Sequence, residues 1–136
     1  MWDKGPETAD QLRRAQITEI CAPAPAAAQW KNLPGITVEP FPGHTDSLLA
    51  VHITSGHDRK QEHAVYTGDL FPTHNHLDPT WVMGYDLDPI RCIDERKRLL
   101  ARAIPEHWLL IFPHDHQLPA THVTLNDKGR PIAAND

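Results

Sequence analysis

The sequence predicts an α/β domain of the α+β kind: a mainly antiparallel sheet with flanking helices. Three observations carry this expectation. Three short apolar-alternating segments between Ile36 and Thr67 are joined by brief Pro-Gly or polar turns, a spacing that favours antiparallel pairing. Asp88-Pro89 opens a stretch of helical period, because Asp caps a helix N-terminus well and Pro fits the first helical position. Trp108-Leu-Leu-Ile-Phe112 is a continuous apolar run, the pattern of a buried strand.

Taken in order, Glu7 to Ile20 carries Leu12, Ile17 and Ile20 at helical spacing after Thr8, which predicts an amphipathic helix. Pro23 and Pro25 end it, and the Pro/Ala-rich stretch from Cys21 reads as a connector. This divides the chain into a helix plus connector over 1–31 and a folded unit over 32–136. Strands are expected at Ile36 to Phe41, Ser47 to Thr54 and Ala64 to Thr67, with a polar hairpin loop over Gly56 to Gln61. Phe71 to Leu87 has no stable period and holds Pro72 and Pro79, so it reads as a long loop, and long ordered loops in compact domains are usually functional. In the helix after Asp88, Ile90, Ile93, Leu100 and Ile104 are expected on the buried face, with Asp94 supporting Arg98 on the other. The basic cluster of Arg91, Arg96, Lys97, Arg98 and Arg102 reads as a solvated face, offset by Asp94 and Glu95. Thr121 to Leu125 and Arg130 to Ala133 flank an Asn-Asp-Lys-Gly turn, which predicts a terminal hairpin.

Composition narrows the chemistry. With 136 residues and a net charge of −5, the chain is one domain without a basic surface, so nucleic acid and anionic membrane are poor partners. No stretch approaches the ~18 to 20 apolar residues of a membrane span, and the first residues do not form a secretory leader; a cytoplasmic location is expected. Cys21 and Cys92 make no disulfide framework. Histidine is abundant, at 10 residues, which together with carboxylates raises a metal site.

His44, Asp69 and His114 share one context: each follows a strand end, after Pro42-Gly43, Gly68 and Pro113 respectively. Side chains at strand ends can meet on one sheet edge, and two imidazoles with one carboxylate suit zinc, iron or manganese. A second pattern, His74-Asn-His76-Leu-Asp78, could form a local metal clip if extended. His116 is a fallback for His114. Of the remaining histidines, His52 is expected to pack in the sheet, His57 and His63 to be solvated beside the hairpin, His107 to end the helix and His122 to lie on a strand surface. Trp81, Met83 and Tyr85 are expected either to line a substrate pocket or to pack over the sheet.

Phe41-Pro-Gly-His-Thr45, Tyr66-Thr-Gly-Asp-Leu-Phe71, the helix from Asp88 through Arg96-Lys-Arg-Leu-Leu100, and Phe112-Pro-His-Asp115 occur in that order. This set resembles the C-terminal half of the metallo-β-lactamase fold, an αββα sandwich, over about residues 32 to 134. The resemblance implies that His44 ligates a first metal, that Asp69 bridges two metals and acts in catalysis, and that His114 completes the second. One or two zinc ions would be the cofactor, with iron or manganese as variants. The activity implied is metal-dependent hydrolysis of an ester, lactone, thioester or amide small molecule. The family's upstream His-x-His-x-Asp-His has no counterpart, since residues 1–43 contain no histidine. The missing ligands would then come from a second copy or a complementing chain, or from the loop of His74, His76 and Asp78; otherwise the unit is a truncated, non-catalytic half-domain that binds or dimerises. A small cupin-type metal-binding β-barrel, suggested by His74 and His76, is a third possibility.

Overall fold

The computed structural model describes residues 34–56 and 61–134. The helix expected over Glu7 to Ile20, the connector after it and His57 lie outside these residues. The main sheet has five strands in the order β1-β2-β3-β4-β5: β1 (Ile36–Pro40), β2 (Leu49–Ser55), β3 (Glu62–Tyr66), β4 (Leu109–Ile111) and β5 (Ala120–Thr121). Strands β1, β2 and β3 form an antiparallel meander, with Val38 opposite Val51 and Val51 opposite Tyr66. β4 then joins β3 in parallel, pairing Ala64 with Leu109, and β5 returns antiparallel. A parallel neighbour needs a crossover, and the long loop with helix α1 (Pro89–Ala103) supplies it. Among the described residues the sheet is open and linear, unlike the closed barrel of the cupin alternative.

The terminal hairpin is shorter than the sequence suggests. Thr121 belongs to β5 in the main sheet, and only β6 (Val123–Leu125) and β7 (Pro131–Ala133) pair with each other. The Asn126 side chain accepts from the backbone N–H groups of Lys128 at 2.9 Å and Arg130 at 3.0 Å, which fixes the turn. The long loop is not without structure, since His74–Leu77 forms a 3-10 turn.

Strand alternation gives the sheet two unlike faces. One carries buried Ala50, Val65 and Leu110, which join Phe41, Phe71, Leu99, Leu100, Ala103, Trp108 and Phe112 in the core. The register places Ile36, Val38, Leu49, Val51, Ile53, Ala64, Tyr66, Leu109 and Ile111 on the other. That second face is apolar, yet every one of those residues is half-buried or exposed. No described helix is long and apolar enough to cross a membrane.

Helix α1 begins as read: the Asp88 carboxylate accepts from the Arg91 N–H at 3.0 Å, with Pro89 at the first turn. Its buried face differs. Cys92, Arg96, Leu99, Leu100 and Ala103 point inward, whereas Ile90 is 69% exposed. The inward face runs through positions 92, 96, 99, 100 and 103, rotated from the stripe of isoleucines because Arg96 finds acceptors inside. Its Nε donates to the Leu70 carbonyl at 2.6 Å, and its Nη1 donates to the Trp81 carbonyl at 2.6 Å. The guanidinium also lies over the Phe71 ring, 5.7 Å from its centroid. The expected solvated face therefore excludes Arg96, which is fully buried. Arg98 does not pair with Asp94; it binds Glu95 at 2.6 Å and Glu39 of β1. Arg102 also reaches Glu39, at 2.9 Å. Burial raises the Glu39 carboxyl, but hydrogen bonds and charge from Arg102 and Arg98 prevail and hold it below its usual range.

His63 is the other correction. It is half-buried rather than solvated, stacks on Trp108 with centroids 3.9 Å apart and shares a 2.9 Å hydrogen bond with His52 Nδ1. His52 packs within the sheet, as expected, with its Nε2 3.0 Å from Glu39. Burial disfavours the charged ring and holds both imidazoles below their usual value; Glu39 opposes this at His52, and Glu106 opposes it at His63. The unfolded chain, with imidazoles near about 6.5, binds those protons more readily. The stability these two rings contribute is thus fully present above about pH 6.5 and is lost as the pH drops below it. Urea midpoints should be lower at pH 5 than at pH 7.5, and His63→Gln should reduce the difference. A midpoint equal at the two pH values in the unmodified chain contradicts this account.

Candidate metal centre

Strand direction assembles the site. Two antiparallel steps return β3 to the direction of β1, and β4 runs parallel to β3. The C-terminal ends of β1, β3 and β4 therefore open on one sheet edge, and His44, Asp69 and His114 follow those three ends.

The His44 turn is tightly held. Gly43 has φ of 143°, and a Cβ there would lie 2.7 Å from the Cys92 backbone nitrogen, so only glycine fits. The Gly43 carbonyl accepts from the Asp88 N–H at 2.8 Å and the His44 carbonyl from the Leu87 N–H at 3.3 Å. Asp69 lies on a 3-10 turn, Gly68–Leu70, directly after β3. Buried Thr67 anchors that turn: its N–H donates to the Ile111 carbonyl at 3.1 Å, and its hydroxyl lies 2.9 Å from the Phe71 carbonyl. His114 is fixed through its backbone, whose N–H donates to the Pro72 carbonyl at 3.0 Å.

The three side chains meet. His114 Nε2 is 2.9 Å from Asp69 Oδ1, and His44 Nε2 is 3.3 Å from Asp69 Oδ2. Each oxygen of the carboxylate thus faces a different imidazole. His44 Nδ1 is bonded on its far side to Asp86 Oδ1 at 2.9 Å. Among the described residues, no group of three donors surrounds a common point that would hold an ion. The donor chemistry fits divalent transition metals, and the placement fits a carboxylate lying between two positions. A structural or catalytic ion takes at least three protein ligands, more than the two imidazoles and one carboxylate gathered here place around one point.

The second pattern does not gather. His74–Leu77 is a 3-10 turn rather than an extended strand, so His74 and His76 do not project together. His74 Nδ1 bonds Asp115, His76 Nδ1 bonds the Thr73 hydroxyl at 2.9 Å, and Asp78 accepts from the Thr80 hydroxyl at 2.7 Å. Burial lowers the His76 imidazole further. His116 is exposed. Asp115 is buried, and although burial raises its carboxyl, backbone N–H groups of His74, Leu118 and Gln117 bring it well below the usual carboxylate range. Tyr85 presents its ring edge-on to His44 at 5.8 Å. Trp81, with His74, Asp78 and Arg130, lines a separate cavity of about 390 Å³.

No family model and no curated protein matches the sequence. Solved structures do match. A probable metal-dependent hydrolase from Staphylococcus aureus is 30% identical, with a TM-score of 0.62 over 77% of this chain and 37% of its own. The fold here is a partial metallo-β-lactamase fold. The hydrolase AbOPH of the β-lactamase superfamily aligns at 21% identity and a TM-score of 0.62, over 74% of this chain and 34% of its own. AidC, a dizinc quorum-quenching lactonase, aligns at 21% identity and a TM-score of 0.63, over 79% of this chain and 36% of its own. The chain thus spans a little over a third of the length of these metallo-β-lactamase-fold structures.

Two residues of the site escaped the sequence reading. Asp86 and Asp115 each buttress the site, the first through the His44 ring and the second through the loop that carries His74. Gly43→Ala should cost about 2 kcal/mol or more, since it adds a clash to a left-handed backbone. Denaturant unfolding measures this, and a loss under about 0.5 kcal/mol would show that the turn is not clamped as described.

Proposed function

We propose that this chain is the His44, Asp69 and His114 portion of a metal-dependent hydrolase acting on an ester, lactone, thioester or amide. The observation that carries the proposal is the Asp69 carboxylate, with one oxygen toward each imidazole Nε2. His44 and His114 would hold one or two zinc ions, or iron or manganese, with Asp69 between them. A bound divalent ion supplies Lewis-acid polarisation of the scissile carbonyl and acidifies water at the site. Asp69 would orient the nucleophilic water between the two imidazoles, and Thr67 fixes the backbone of the turn that carries it. The exposed His114 ring faces incoming substrate, and the more enclosed His44 ring is held from behind by Asp86. Remaining ligands come from outside the described residues, from a second copy or a complementing chain seated on the apolar sheet face. A cytoplasmic setting agrees with Cys92 as a buried free thiol.

Metal analysis after mild purification, with zinc added back, tests this reading. Zinc should be bound and lost in Asp69→Asn, and turnover of lactone or ester probes should fall by about 10²-fold or more. Turnover that survives both chelation and Asp69→Asn would defeat it.

The apolar face supports a second reading, in which the unit is a non-catalytic module that associates through that face. An apolar sheet face that the described residues leave half-buried or exposed favours association on either reading. Sedimentation equilibrium should give a mass above the 15.3 kDa of one chain. A cooperative monomer at that mass contradicts association through the face.

A further inference from the structure

We propose that Asp86 is the positioning residue of this site: its carboxylate fixes the His44 proton on Nδ1 and so presents Nε2 as the lone-pair donor facing Asp69. The inference rests on the metal-dependent reading for its consequence, although the tautomer itself does not require a metal.

Asp86 is surrounded by donors. Its Oδ2 accepts from the Met83 N–H at 2.9 Å, and its Oδ1 lies 2.9 Å from His44 Nδ1. Burial, and then the nearby Asp86 charge, push the Cys92 thiol up to about 11, so it stays protonated beside this carboxylate. The buried Arg96 guanidinium supplies the nearby positive charge. The Asp86 side chain is 0% exposed, so water cannot stand in for any of these partners.

His44 lies between two carboxylates, and the geometry decides which one receives its proton. The contact to Asp86 is the shorter one, aligned as a hydrogen bond and enclosed. The contact to Asp69 is 3.3 Å, to a carboxylate whose side chain is 37% exposed and can be served by water. An imidazole carrying one proton therefore places it toward Asp86, leaving Nε2 free to coordinate. The backbone enforces the choice. Asp88 and Leu87 bond the carbonyls of Gly43 and His44, so the Asp86 segment and the His44 turn move as one piece.

Asp86→Asn reverses this logic at nearly constant shape. The Met83 N–H can only donate, so the new amide must turn its oxygen there and its NH₂ toward His44 Nδ1. His44 then has to carry its proton on Nε2, the atom that would bind metal. The same substitution in the hydrogen-bonded carboxylate of a Ser-His-Asp triad gives the wrong tautomer.

The test is long-range ¹H–¹⁵N spectroscopy of metal-free protein above the imidazole titration, with His44 assigned from His44→Gln. The expected result is an Nδ1–H tautomer in the unmodified chain and an Nε2–H tautomer in Asp86→Asn. Zinc competition against a chromophoric chelator should then show about 10- to 100-fold weaker binding in the variant. An unmodified chain with its proton on Nε2 overturns the proposal without recourse to any variant. So does Asp86→Asn with unchanged tautomer and unchanged zinc affinity. An unmodified chain that binds no zinc overturns the form of the hydrolase reading in which a second copy completes the site, and the metal-free spectra still decide the role of Asp86.

Discussion

The structure turns on a guanidinium placed where no charge was expected. The turn after β3 and the loop that follows leave carbonyl oxygens at Leu70 and Trp81 that no strand or helix receives. A buried carbonyl left unpaired costs about 1–3 kcal/mol, and Arg96 satisfies the buried one at Leu70 and the part-buried one at Trp81 from helix α1. Three parts of the chain, distant in sequence, are thereby locked: the turn carrying Asp69, the loop leading to Asp86, and the helix whose N-terminus clamps Gly43. A lysine could not do this, since one ammonium lacks the fork that reaches two divergent acceptors. The burial of an arginine is tolerable here because its charge faces Asp86 and lies over the Phe71 ring.

A common logic runs through the site. Neither imidazole next to Asp69 depends on its own rotamer preference alone. His44 is braced through its ring by Asp86, and His114 through its backbone by the Pro72 carbonyl. Asp115, adjacent to His114 in sequence, ties the 114–118 segment to the loop by accepting from the N–H groups of His74, Gln117 and Leu118. The rigid parts are thus carboxylates inside the protein, and the exposed carboxylate at the centre is the one available to a ligand. That partition is what preorganised sites require.

Much of this was legible in the sequence because it is local. Strand alternation, the Asp88-Pro89 start and the glycine before His44 each act over a few residues, and each is found where the pattern puts it. The chain also ordered His44, Asp69 and His114 at strand ends, which is enough to suggest one edge. What escaped the reading is long-range. Arg96 looks like any helix-surface arginine until the carbonyls it serves are in place. His63 is polar and beside a hairpin, yet Trp108 arrives from a later strand to cover it. Asp86 stands 42 positions from His44, and no periodicity links a carboxylate in an irregular loop to an imidazole in a turn.

The parallel step between β3 and β4 sets an order on assembly. The meander that carries His44 and Asp69 closes through short connections, so those two groups can approach early. Thr67 and Ile111, joined across that step, stand 44 positions apart, and closing such a loop carries an entropic cost of about 3 kcal/mol beyond its constant part. His114 therefore depends on the long-range contact, whereas His44 and Asp69 are carried by the meander. Until that closure is made, the rim holds two of its three groups, so the site depends on the one connection of the main sheet that is not a short turn.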